Sequence, residues 1–146
     1  MSKIVYILED EYSLRSTLRD YLEQNGYEVH AYSDPSFCPL TETAACKCNK
    51  QTPCADFIIT DINMPGMTGL SFIELQKEKG CKVSHIAVMS ATWSESQYQR
   101  AGDLGCKVFE KPFGLNDLIY WMKSCEEKQF IPNNKNNSCS RINLTK

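Results

Sequence analysis

The stretch Phe57-Ile58-Ile59-Thr60-Asp61-Ile62-Asn63-Met64-Pro65-Gly66-Met67-Thr68-Gly69 changes character at Asp61. Before it, four apolar or β-branched residues run without a break, which predicts a strand buried on both faces. After it come Asn63, Pro65, Gly66 and Gly69, residues that favour turns. A carboxylate therefore closes a buried strand just where the chain turns away. The same pattern recurs along the chain. Lys3 to Leu8 is an apolar, β-branched run leading into Glu9-Asp10-Glu11; His85 to Met89 leads into Ser90; Lys107 to Glu110 leads into Lys111-Pro112.

Helical spacing fills the intervals. Tyr12 to Asn25 places Leu14, Leu18, Tyr21 and Leu22 on one face, with Gly26 as its stop, and Tyr27 to Tyr32 reads as a further strand. Leu70 to Lys79 and Ser94 to Leu104 read as helices, and Leu115 to Cys125 as a last helix with Leu115, Leu118, Ile119 and Met122 inward. Strands alternating with helices predict an α/β protein, a doubly wound parallel sheet covered on both faces. Two segments break the pattern. Ser33 to Ala55 holds three prolines and four cysteines and reads as a loop with at most a short helix. From residue 126 the chain turns to charged residues and then to Asn and Ser, which predicts one domain over 1–125 and a flexible tail over 126–146.

The 146 residues suit one domain, with 42% hydrophobic and 23% charged residues and a formal net charge of −2. That charge disfavours nucleic acid as the main partner. No apolar run approaches the ~18 residues of a membrane span, and Ile4 to Leu8 is too short for a signal-peptide core, so a cytoplasmic location is expected.

Ligands of open parallel sheets bind beyond the carboxyl ends of the strands. Those ends carry Glu9, Asp10, Asp61, Ser90 and Lys111. Each alone has an ordinary explanation: a solvated helix start, a turn-capping Asp, a loop serine, a surface lysine. Their joint placement at four strand ends does not. Two like charges at 4 Å repel by ~4 kcal/mol at an effective dielectric of 20, so three carboxylates in one site call for a cation. Oxygen-only ligands suit Mg²⁺. A metal and a lysine together are what an incoming phosphoryl group needs, and an aspartate in such a site can be the nucleophile. A nucleotide- or flavin-binding enzyme on a similar sheet would need a phosphate loop after the first strand, where this chain has three acids.

These residues resemble the receiver domain of bacterial two-component response regulators over roughly residues 3 to 125. The resemblance rests on Ile7-Leu8-Glu9-Asp10-Glu11, on Asp61 through Gly69, on Met89-Ser90-Ala91 and on Lys111-Pro112-Phe113. It implies a flavodoxin-like five-stranded sheet in the order 2-1-3-4-5. It also implies phosphorylation of Asp61 by a histidine kinase or phosphotransfer protein, with Ser90 and Lys111 contacting the phosphoryl group. Mg²⁺ would be held by Glu9, Asp10, Asp61 and the backbone carbonyl of Asn63. The resemblance implies no enzyme in the ordinary sense, only a protein that catalyses its own phosphorylation and slow dephosphorylation. Without an appended output domain, a stand-alone regulator would signal by docking an unknown downstream protein or by passing the phosphoryl group on, with no direct DNA binding and no membrane contact. The chain departs from the family in two places. Val108 stands where an aromatic residue is common, with Phe109 one position later and read as core, and Ser33 to Ala55 replaces a regular helix.

Eight cysteines are many for this length. Cys38, Cys46, Cys48 and Cys54 cluster in the irregular loop, where they could hold Zn²⁺, support an Fe–S cluster, pair as disulfides or remain thiols. Metal binding there would make the chain a metal- or redox-sensing interaction module on the same fold, the competing reading of its function. By metal or by disulfide, the four are expected to lie within reach of one another and to order the loop. Without an export signal, reduced thiols or metal ligands are expected rather than a disulfide framework. Cys81, Cys106 and Cys125 read as small core residues, Cys139 as exposed, and His30 and His85 as structural.

Overall fold

Strands β1 (Ile4–Leu8), β2 (Glu28–Tyr32), β3 (Phe57–Asp61), β4 (His85–Ser90) and β5 (Lys107–Glu110) pair in parallel, in the order β2-β1-β3-β4-β5. The computed structural model describes residues 3–33, 55–64 and 66–128. Between the strands lie α1 (Tyr12–Gln24), α2 (Gly69–Glu78) and α3 (Glu95–Asp103), and α4 (Leu115–Lys128) follows β5. The doubly wound sheet expected from the alternation is therefore present. The irregular segment and its cysteines Cys38, Cys46, Cys48 and Cys54 lie outside the described residues, as does Cys139.

Alternation along the strands explains the two cores. Val5 and Ile7 of β1, Phe57 and Ile59 of β3, and Ala87 and Met89 of β4 face α1 and α4, meeting Leu18, Leu22, Leu118, Trp121 and Met122. The intervening Leu8, Ile58, Ile86 and Val88 face α2 and α3, meeting Leu70, Phe72, Ile73 and Ala101. A sheet covered on both sides buries both faces of its central strands, and β3 is buried at all five residues, Thr60 and Asp61 included.

Local signals set the helix ends. Gly26 takes φ +93° just after α1, a conformation most residues avoid. Thr68 caps α2 by accepting from the Ser71 N–H at 3.1 Å. Ser94 and Gln97 form a reciprocal capping box at α3. Helix α4 runs three residues past its expected end at Cys125, and Glu126 is anchored by the Tyr27 hydroxyl at 2.6 Å. Residues 129–146 of the expected tail lie outside the described part.

Phe109 is buried among the side chains of the α1 and α4 face, while Val108 packs on the opposite face. Cys81 is half-buried and Cys106 buried, and burial pushes the Cys106 thiol up to about 12. Cys125 is fully buried as expected, but it is disulfide-bonded, against the expectation of reduced thiols. His30 bonds Glu28 at 2.8 Å and stacks on Tyr6, and His85 lies against Phe57 with burial holding its ring below the usual histidine range. Among the described residues no helix is long and apolar enough to cross a membrane.

Candidate functional site

Backbone ladders carry the strand ends to one edge. Pairing continues one residue past the strands: Glu9 N–H bonds Tyr32 O at 3.0 Å, Ile62 N–H bonds Met89 O at 2.9 Å, and Lys111 N–H bonds Ser90 O at 2.8 Å. With Leu8 opposite Thr60 and Asp61 opposite Met89, this register sets Glu9, Asp61, Ser90 and Lys111 side by side. The sheet thus brings together residues 102 positions apart, because parallel strands share their carboxyl edge.

The Lys111 ammonium lies 2.9 Å from Glu9 Oε1 and 3.4 Å from Asp61 Oδ1. Glu9 is wholly buried, Asp61 nearly so, and Asp10 exposed. Each of the three offers a carboxylate oxygen within 4.8 Å of the other two. Burial is the main reason that Glu9 and Asp61 sit above the usual carboxylate range. Lys111 and a main-chain N–H oppose that rise at each acid, from Glu11 at Glu9 and from Asn63 at Asp61. Burial alone would lower the Lys111 ammonium, but its bonds and charges with Glu9 and Asp61 outweigh that and raise it.

Ser90 is fully buried. Its hydroxyl donates to Thr92 O at 3.3 Å and accepts from the Thr92 N–H at 3.1 Å and the Asn63 side-chain amide at 3.4 Å. The peptide bond between Lys111 and Pro112 is cis.

Three carboxylates against one ammonium leave two negative charges unbalanced when all are ionised. The donors are all oxygens, two of them buried and fixed, one facing solvent. This set fits a hard divalent cation that keeps part of its water shell, as Mg²⁺ does. Among the described residues it is the one group of three or more acids, histidines or cysteines placed to hold an ion.

Sequence reasoning missed three supports. A Cβ built at Gly69 would overlap the main-chain oxygen of Asp61, so only glycine fits there. The Thr60 hydroxyl donates to that same oxygen at 2.9 Å. The Arg15 guanidinium donates to the Glu9 main-chain oxygen at 2.9 Å. The first two sit inside or beside the strand–turn motif, and a threonine and a glycine flanking an aspartate could have signalled them. Arg15, on α1, gives no such sign.

Comparison with known proteins gives the family and the fold. The family described as response regulator receiver domain matches residues 5–123. The transcriptional regulatory protein CrdR of Helicobacter pylori is 25% identical over 81% of this chain and 52% of its own length. The phosphate regulon transcriptional regulatory protein PhoB of Klebsiella pneumoniae is 27% identical over 85% of this chain and 52% of its own length. The chain spans about half the length of these curated relatives. In fold it is similar to the chemotaxis protein CheY4 of Vibrio cholerae, at a TM-score of 0.68 and 23% identity over 85% of this chain and 98% of that one. A receiver domain protein from Methanospirillum hungatei gives a TM-score of 0.72 at 18% identity over 88% and 97%. Receiver domains of this family are signalling modules that interact with histidine kinases or phosphotransfer proteins and bind Mg²⁺ at an acidic pocket. With its sheet order, its acidic edge and a family match over most of its length, the chain belongs to the response regulator receiver domains of two-component systems.

Proposed function

We propose that this receiver domain takes a phosphoryl group onto Asp61 from a phosphohistidine partner and passes the signal on by protein contact or by phosphorelay. The observation that carries the reading is a nearly buried Asp61 carboxylate with Lys111 at 3.4 Å and two further acids within ion-binding reach.

An Asp61 oxygen attacks phosphorus while the donor's P–N bond breaks, and the electron pair leaves with the imidazole nitrogen, which takes up a proton. Lys111 faces the charge that gathers on the phosphoryl oxygens. Glu9 holds Lys111 in place at 2.9 Å. The Ser90 hydroxyl, at the end of the neighbouring strand, is the group able to bond a phosphoryl oxygen. Gly69 and Thr60 hold the Asp61 backbone, so the carboxylate is aimed before the donor arrives. Glu9, Asp10, Asp61 and the Asn63 carbonyl would hold Mg²⁺, which when bound neutralises phosphoryl charge. The metal- or redox-sensing alternative rests on cysteines outside the described residues, and no observation favours it.

Incubation with Mg²⁺ and a small phosphodonor, read by intact mass, tests the assignment. The wild type gains one phosphoryl group, and Asp61→Asn gains none while keeping its circular dichroism. Labelling of Asp61→Asn at the wild-type rate would remove Asp61 from the mechanism.

A further inference from the structure

Asp10 is the exposed member of the three acids, and among the described residues no hydrogen bond holds its carboxylate. Its direction therefore depends on the backbone that carries it. That backbone is gripped at three points. The Glu9 N–H bonds Tyr32 O at 3.0 Å, the Glu11 N–H bonds Glu9 Oε2 at 3.0 Å, and Arg15 Nη1 bonds the Glu9 main-chain oxygen at 2.9 Å. The last of these oxygens belongs to the peptide that joins Glu9 to Asp10, so its orientation sets the plane from which the Asp10 side chain departs. The guanidinium is itself steadied: its carbon lies 5.4 Å from the centroid of the Tyr12 ring.

We infer that Arg15 is a positioning residue for the cation site, fixing the Glu9–Asp10 peptide so that Asp10 meets a divalent cation with the two buried acids. This rests on the reading of Glu9, Asp10 and Asp61 as the Mg²⁺ site. It is unexpected on charge alone. A guanidinium close to a cation site repels the cation, so by charge its removal tightens Mg²⁺ binding. By positioning, its removal weakens binding, as loss of a group that orients a metal ligand commonly does by 10–100-fold. The two effects have opposite signs, and the sign decides.

The experiment is calorimetric titration of Mg²⁺ into the wild type, Arg15→Met, Arg15→Lys and Asp10→Ala. Met keeps the apolar stem and removes charge and donors; Lys keeps the charge and one flexible donor. The Kd is expected to rise about tenfold in Arg15→Met, with Lys between it and the wild type. Phosphorylation of Arg15→Met should return to the wild-type rate once Mg²⁺ is raised to saturation, since Asp61 and Lys111 are untouched. Metal-free thermal unfolding identifies a variant that fails to fold, in which case Arg15→Lys alone carries the comparison. An unchanged or lower Kd in both Arg15 variants, beside a weakened Asp10→Ala, overturns the inference and leaves the metal site standing. A wild type that takes up no Mg²⁺, matching Asp10→Ala, overturns both.

Discussion

Lys111 and Arg100 each tie together segments remote in sequence, the first through Glu9 at 2.9 Å, the second through Glu74 at 2.7 Å. By geometry the Arg100 pair is the better one, with two parallel bonds from Nε and Nη2 to the two carboxylate oxygens. Their surroundings differ. Arg100 and Glu74 are each 41% exposed, whereas Glu9 is wholly buried and Lys111 19% exposed. The carboxyls respond in opposite directions. Arg100 holds Glu74 below the usual carboxylate range, while burial keeps Glu9 above it despite a cation at 2.9 Å. The exposed pair forms because it suits its two partners. The buried cluster exists because the fold imposes it, and its cost in desolvation is not matched by attraction. A site held in that condition is poised to take up positive charge, as a metal or as protons.

Breaking the buried cluster should give the largest effect. Lys111→Met strands two buried acids and should lower metal-free stability at neutral pH by about 3 kcal/mol. The sign of its pH dependence follows from the raised carboxyls. A raised acid favours the folded state below the unfolded carboxylate range, and that advantage is lost as pH rises through its folded value. The gap between variant and wild type should therefore narrow towards pH 4, and urea unfolding at the two pH values checks it.

Gly69→Ala sharpens the contrast from the steric side. The added methyl must push against the Asp61 main-chain oxygen, and overpacking of this kind costs about 2 kcal/mol. Chemical denaturation reads the loss, which should come with slower phosphorylation at Asp61. Smaller and of opposite sign, Asp61→Asn removes one of the crowded carboxylates. It should raise metal-free stability by about 1 kcal/mol and abolish the stabilisation that Mg²⁺ gives the wild type. A thermal melt with and without Mg²⁺ measures both. The smallest effect belongs to the exposed pair. Glu74→Gln should leave the melting temperature within experimental scatter, at low and at high salt alike. A large drop would show that the two pairs differ less than their exposure says.

Much of this contrast was legible in the sequence. Glu9, Asp61 and Ser90 each follow a run of apolar or β-branched residues, Lys111 follows the short strand Lys107 to Glu110, and parallel strands align their carboxyl ends, so the edge could be assembled without coordinates. What stayed hidden depends on close approach in three dimensions. The complete burial of Glu9, the overlap that excludes any side chain at Gly69 and the reach of Arg15 to a carbonyl six residues back leave no periodic trace. The end of α4 was misread for another reason. Glu126 to Lys128 are polar and looked like tail, yet no glycine or proline interrupts them, and the helix continues. The inward face of α4 was also too narrow: Trp121 is buried beside Leu118 and Met122, because the helix lies on a broad aromatic patch that includes Phe57 and Phe109.

That patch has an optical consequence. The chain has two tryptophans, and they meet Phe109 from different sides. The ring of Trp121 lies edge-on to the Phe109 ring at 6.0 Å, deep under α4. The indole N–H of Trp93 bonds the Phe109 carbonyl at 3.2 Å, and its ring stacks on half-exposed Tyr98 at 4.9 Å. Trp93 also stands next to Thr92, the residue that bonds the Ser90 hydroxyl. The buried indole is therefore expected to emit from an apolar setting, shielded from aqueous quenchers, while the half-buried outer one is more accessible to them. Quenching with iodide separates the two signals in the unmodified protein, one reading the interior beneath α4 and the other the loop that follows Ser90.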